Sequence, residues 1–178
     1  DSTITRGAAA AIISRILDTS LRKSITLTKP PFEAVPMTQL ANYASLKKKM
    51  SDDEFRQAYD AALKIITPLA EMRKQDQLQG VYATLRYMAE HELSYSTDVP
   101  HYNDPYGYFV SKVASCAGSA RATGLCLNML GIPYEHVNEN KWSHQWCRVD
   151  MGDGTYWVCD PYGMYVGAEP YVYGHPYF

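Results

Sequence analysis

The sequence predicts an α+β fold, with helices in the first two thirds of the chain and a small antiparallel sheet in the last third. Apolar residues recur at helical spacing between residues 51 and 91, and again after Cys116. Beyond Pro133, three short segments rich in Val, Trp and Tyr are typical of strands. The 178 residues are 46% hydrophobic and 20% charged, which indicates a globular domain with its own core.

The charge pattern argues against nucleic acid as a partner. Formal net charge is -2, and the basic residues of the first fifty positions are scattered, without interleaved stacking aromatics. No apolar run approaches the roughly 20 residues of a membrane-spanning helix, so we expect no membrane insertion.

Residues 1–50 are predicted to form an appended arm, and residues 51–178 the catalytic domain. The arm begins with an Ala-rich amphipathic helix over residues 4–17 and continues as a Pro-containing connector over residues 18–38. We expect the connector to lie over the surface of the domain.

The domain begins with a capping box, Ser51 with Glu54, that predicts the start of a long helix. Pro68 is expected to split this helix, and a second one is predicted from about Gln75 to His91. Residues 94–109 follow neither helical nor strand periodicity. A loop of that length, rich in Tyr, is expected to be functional.

A third helix is predicted to begin at Cys116, directly after Ser115, and to stop at Gly131. The unpaired amides and the positive end of the helix dipole would stabilise a thiolate at Cys116. The same amides can receive an oxyanion, which makes Cys116 the candidate nucleophile.

The predicted strands include a hairpin centred on Asp153, in the turn MGDG. This pairing places His144 opposite Asp160 or Tyr162, and puts His144 and Asp160 on one face of the sheet. Asp160 would then orient His144, which would act as the base for Cys116. We expect the Cys116 helix to pack across this face.

The segments SCAGSARATGLCLNMLGIPYEHV, WSHQW and GTYWVCDP together resemble the core of the transglutaminase-like family. The resemblance covers residues 106–162 and keeps the family's order of Cys, His and Asp. It implies a papain-like core in which the nucleophile helix packs on a C-terminal antiparallel sheet, with extra N-terminal helices. Trp142 stands two residues before His144 rather than three, so the resemblance does not extend to the amine channel of animal crosslinking enzymes.

Further residues have predicted places in or near the site. Trp142 and Trp146 are expected to wall it, and Tyr106 and Tyr108 are candidates for contact with substrate. Cys126 is expected in the core. Cys147 and Cys159 face each other across the hairpin, as either a disulfide or a reduced pair. Neither CxxC nor HExxH spacing occurs, so we expect no metal and no cofactor.

The expected function is acyl transfer through a thioester, on the amide bonds of a peptide, protein or cell-wall polymer. Water as acceptor would make the protein a protease or amidase, and an amine would make it a transglutaminase. The alternative is a non-catalytic surface-binding module that retains the triad. The N-terminal stretch TRGAAAAIISRIL resembles the closing helix of an S-layer homology repeat. With the family resemblance, it implies a secreted or cell-surface bacterial protein, and the sequence leaves its oligomeric state open.

Overall fold

The fold is built from four α-helices and six strands over the part of the chain that the computed structural model describes, residues 31–171 and Tyr173. The helices are α1 (Tyr43–Lys47), α2 (Asp52–Ile66), α3 (Lys74–His91) and α4 (Cys116–Met129). The strands are β1 (Ser94–Tyr95), β2 (Val113–Ala114), β3 (Glu135–Val137), β4 (Trp146–Asp150), β5 (Tyr156–Asp160) and β6 (Tyr165–Ala168). This mixture confirms the α+β class. The predicted helix at residues 4–17 lies outside the described residues.

The first two long helices follow their sequence signals closely. The Ser51 hydroxyl accepts from the Glu54 amide at 3.2 Å and the Glu54 carboxylate accepts from the Ser51 amide at 2.7 Å, which completes the capping box. Helix α2 ends at Ile66 and is followed directly by a 3-10 turn, Thr67–Leu69, that contains Pro68. Because proline lacks an amide donor, the series of helical hydrogen bonds is interrupted there, and α3 begins as a separate helix.

Strands β3 to β6 form an antiparallel sheet in chain order. Cys147 pairs with Cys159, so the β4–β5 hairpin is centred on Asp153 as predicted. Strand β6 was not predicted, because its residues lie in a Tyr- and Gly-rich stretch without alternation. A second sheet pairs β1 with β2 in parallel, within and just after the predicted loop.

Helices α3 and α4 pack on the sheet face that carries the two strand cysteines. The Cys147 thiol donates to the Ala120 carbonyl at 3.1 Å, and the Cys159 thiol donates to the Leu78 carbonyl at 3.7 Å. The expectation that the Cys116 helix crosses the face of His144 and Asp160 is therefore wrong. The cysteine face is the apolar one, and its burial determines where the helices pack. Both thiols are free.

Residues 32–50 are part of the domain. Leu40, Leu46 and Met50 lie in the core, and the Val35 amide donates to the Met129 carbonyl at 3.0 Å. One compact unit accordingly begins at Phe32. These residues were predicted to belong to the arm, because single apolar anchors give no periodic signal.

The sequence predicts that no helix spans a membrane. None of the helices in the described ranges is both long and apolar enough to cross a bilayer.

Candidate active site

Cys116 is the first residue of α4, where the helix has unpaired amides. Ser115 is the N-cap residue, but its side chain makes no capping bond; its hydroxyl donates instead to the Tyr102 carbonyl at 3.2 Å. The first amides of an α-helix have no partner within the helix. Partial positive charge is therefore concentrated at the helix start, where Cys116 lies.

The Tyr-rich loop lies directly against this helix end. The Ser115 amide donates to the Tyr102 carbonyl at 2.7 Å, and a Cβ on Gly118 would come within 2.5 Å of the same carbonyl oxygen. Glycine at position 118 therefore allows the loop to approach the first turn of α4. This contact brings the loop to the side of the thiol.

His144 and Asp160 form a buried pair beside Cys116. His144 Nε2 and Asp160 Oδ2 are 2.5 Å apart, and each residue is only 2% exposed. The Cys116 thiol lies close enough to the His144 ring to raise its pKa, and the thiol donates to the neighbouring Ser143 carbonyl at 4.0 Å. Since Asp160 holds Nε2, Nδ1 is the ring nitrogen that can exchange a proton with the thiol. The structure thus brings together the three residues that are predicted to form the triad.

The Asp160 carboxylate is held by two further donors. Its Oδ1 accepts from the Gly163 amide at 2.8 Å, and its Oδ2 accepts from the Tyr171 hydroxyl at 2.7 Å. Charge-assisted bonds of this kind fix the orientation of a carboxylate. Asp160 is consequently a preorganised partner for His144, anchored from the turn after β5 and from beyond β6.

Aromatic rings surround the imidazole. The Tyr173 ring stacks on His144 with centroids 3.5 Å apart and planes at 13°, and Trp146 lies nearly parallel to it at 5.7 Å. Tyr171 meets Trp146 edge-on at 5.3 Å. These rings shield the His144–Asp160 pair from water, which strengthens the electrostatic interaction between them.

The environment of His144 raises its pKa. Burial lowers this pKa, but the hydrogen bonds and the charges of Asp160 and Cys116 outweigh burial, and the net shift is upward from the ordinary value of 6.5. Protonated His144 therefore contributes stability that is fully present below pH 6.5, the unfolded pKa. That contribution is lost as the pH rises through the higher folded pKa.

We expect this linkage to appear in thermal melts of the wild type and of His144→Gln between pH 5.5 and 9. The stability advantage of the wild type should be largest at the acid end and should shrink as the pH rises above 6.5. Calorimetry or circular dichroism measures the melting temperature. A difference that stays constant over the range, or grows with pH, would contradict the raised pKa.

Cys116 opens into a cleft of about 350 Å³. Its walls come from the Tyr-rich loop, the end of α1 and the segment between β3 and β4. The polar and aromatic residues that the cleft exposes near the thiol include Tyr95, Tyr102, Asn103, Lys141, Trp142 and Gln145. The thiol therefore faces a space that is large enough for one or two residues of a peptide.

The Trp and Tyr residues that were predicted to wall the site or to contact substrate lie in different places. Trp142 lines the cleft and is 89% exposed, whereas Trp146 stacks near His144 away from the cleft lining. Tyr108 is 1% exposed and donates its hydroxyl to the Leu85 carbonyl at 2.6 Å, so it belongs to the core. Tyr106 tilts on His101 at 4.9 Å and does not line the cleft. The burial of Tyr108 argues against its predicted contact with substrate, and the predicted contact of Tyr106 stays a prediction.

The loop does supply tyrosines, but different ones. Tyr95 and Tyr102 line the cleft, because residues 107–111 turn back into the core as a π-helix. That turn has no sequence signature that separates it from the rest of the loop. Tyr171 and Gly163 were also missed as partners of Asp160, although the DPYG turn directly after β5 was a usable signal.

Arg121 is a buried residue in the wall of the cleft that hydrogen-bonds three segments of the chain. It is 1% exposed, and its guanidinium donates to the Ser45 carbonyl at 3.0 Å, the Asn103 carbonyl at 3.1 Å and the Glu139 carboxylate at 3.0 Å. These three acceptors belong to α1, the Tyr-rich loop and the turn after β3. Arg121 therefore ties together the separate segments that form the cleft.

The site has no metal-like cluster and no match among known families. Within residues 31–171, no group of three or more His, Cys, Asp or Glu side chains could hold a metal ion. No family model matches the sequence, and no curated protein matches it. The arrangement of Cys116, His144 and Asp160 is consequently the main indication of function.

Proposed function

We propose that this chain is a cysteine-nucleophile acyl-transfer enzyme that acts on amide bonds of a peptide, protein or cell-wall polymer. One observation carries the proposal: the buried His144–Asp160 pair lies beside the Cys116 thiol, whose charge raises the His144 pKa, and the thiol opens into a cleft. A buried cysteine or histidine alone is commonly a packing residue. A thiol beside a base that a buried carboxylate orients is the arrangement of a nucleophile that is activated by a base.

In the first half of the proposed reaction, the thiol proton passes to Nδ1 of His144 and the sulfur attacks the amide carbonyl carbon. The oxyanion that forms is stabilised by the unpaired amides at the start of α4. The carbon–nitrogen bond then breaks, and the departing nitrogen takes the proton from the imidazolium. A thioester on Cys116 and a free amine result.

In the second half, water or an amine attacks the thioester carbonyl carbon and gives a proton to Nδ1 of His144. The acyl–sulfur bond breaks, and the sulfur recovers its proton from the imidazolium. Water yields a carboxylic acid, as in a protease or amidase. An amine yields a new amide, as in a transglutaminase. Asp160 keeps the imidazole oriented through both halves.

The family resemblance supports the same proposal. The nucleophile lies at a helix start, the base lies two residues before β4, and the acid is the last residue of the neighbouring antiparallel strand β5, in the order Cys, His, Asp. We therefore propose a papain-like core of the transglutaminase-like kind. A secreted or cell-surface location, with a peptide or polymer as partner, belongs to this proposal.

The edge of the cleft favours a chain-like substrate. Trp142 presents an almost fully exposed ring two residues before His144, and such rings are frequent anchors for extended ligands. An open cleft with an exposed Trp at its edge suits a segment of a longer chain.

The test is the alkylation of Cys116 by iodoacetamide as a function of pH, followed by mass spectrometry at the level of the single residue. We expect rapid labelling near pH 6, well below the ordinary thiol pKa of about 8.5, and we expect His144→Ala to slow it by roughly tenfold or more. A short unstructured peptide with one Cys is the reference. Labelling that is slow, or that is indifferent to His144, would instead favour the non-catalytic binding module.

A further inference from the structure

The cleft around Cys116 is lined by positive charge. Lys48, Arg121 and Lys141 all line it, and none of the described residues that form its wall is an Asp or Glu. Low-dielectric walls focus the field of such charges on the space between them. The charge of the cleft lining is thus positive, whereas the net charge of the whole chain is -2.

The surplus charge comes from the two lysines. Arg121 is matched by Glu139 at 3.0 Å, so its charge is largely compensated. Within the described part of the chain, neither Lys48 nor Lys141 makes an ion pair with a carboxylate. Neither lysine charge is therefore matched by an ion pair within this part of the chain.

Lys48 is held at the cleft by its backbone. Its φ of 43° lies in the left-handed region, which few non-glycine residues adopt, and its amide closes α1 by donating to the Ala44 carbonyl at 3.1 Å. Burial and the positive charge of Arg121 lower the pKa of Lys48, while Asp104 and Glu139 oppose this shift. An anion that enters the cleft would relieve this unfavourable environment.

We infer that the acyl donor is anionic, with a carboxylate close to the scissile amide that Lys48 and Lys141 recognise. This inference rests on the proposed function, since it assumes that the reacting chain lies along the cleft from Cys116. Lysine is suited to this task as a mobile point charge that does not demand one fixed ligand geometry. Acidic peptides fit this description, and basic ones do not.

Two alkylating agents that differ in charge provide the test. The Cys116 thiolate displaces iodide from either iodoacetate, which is anionic, or iodoacetamide, which is neutral and nearly the same shape. The measured quantity is the second-order rate constant for iodoacetate divided by that for iodoacetamide, at pH 7 and low ionic strength. This ratio is compared with the same ratio for the reference peptide. We expect Lys48→Gln and Lys141→Gln each to lower this ratio by roughly two- to sixfold.

The control is Lys64→Gln, an exposed lysine on α2 that does not line the cleft. Its ratio should equal that of the wild type, and about 0.5 M salt should reduce the differences between all variants. Rapid iodoacetamide labelling with the same ratio in Lys48→Gln, Lys141→Gln and Lys64→Gln would overturn the anionic donor and leave the proposed function standing. Slow iodoacetamide labelling of the wild type would overturn the proposed function itself.

Discussion

Replacing Gly163 by alanine is expected to lower the alkylation rate of Cys116 by roughly tenfold near pH 6, equivalent to about 1.4 kcal/mol. Gly163 acts on the site through Asp160, whose Oδ1 accepts from its amide at 2.8 Å. A Cβ at this position would overlap both Asp160 Oδ2 and the Tyr171 hydroxyl. The carboxylate would have to move, and His144 would lose the partner that fixes its Nε2. Iodoacetamide kinetics, resolved for Cys116, measures the effect.

The matched control is Gly80→Ala on α3. There an added Cβ meets only the flexible end of the Leu69 side chain, so the substitution is expected to leave the Cys116 rate within twofold of the wild type. Asp160→Asn should resemble Gly163→Ala in rate. If Gly163→Ala labels as fast as the wild type, the alignment of Asp160 is not needed to activate the thiol.

Removing Arg121 is expected to produce the largest loss of stability, about 3–5 kcal/mol in the free energy of unfolding for Arg121→Leu. The reason is that the substitution leaves the Ser45 and Asn103 carbonyls without their donor and Glu139 without its cation. For a domain of this size the melting temperature should fall by about 10 °C or more. Urea denaturation measures the free energy directly.

Arg56→Met provides the comparison, because Arg56 forms an exposed ion pair with Asp53 one turn away on α2. Its removal should change the free energy of unfolding by no more than about 0.5 kcal/mol. Arg121→Lys should lie between the two, since it keeps a charge but cannot reach three separate acceptors. Equal stability of Arg121→Leu and Arg56→Met would show that the buried hydrogen bonds of Arg121 do not stabilise the fold.

Much of the fold could be predicted because its signals are local. The capping box of Ser51 needs only Glu54, and the break at Pro68 needs only the missing amide. The relation of His144 to Asp160 was also predictable, since the turn around Asp153 fixes the hairpin register and hence the pairing of distant positions. The position of Cys116 at a helix start followed from the same kind of local signal.

The remaining features depend on contacts that sequence spacing does not encode. Which sheet face receives α4 depends on the combined burial of β4 and β5, so the helix was placed on the wrong face. Arg121 looks like an ordinary polar residue until Ser45, Asn103 and Glu139 are brought around it. Lys48 lies in a run of three lysines, and only the backbone turn after α1 directs it to the cleft.

The cysteines away from the site give the chain a built-in set of unfolding reporters. Cys126, Cys147 and Cys159 are completely buried, and burial raises the pKa of Cys126 to about 12 and the pKa of the other two well above 9. In the folded protein only Cys116 should take up a label. Because the hidden thiols belong to α4, β4 and β5, the order in which their mass increments appear in rising urea reveals which element opens first.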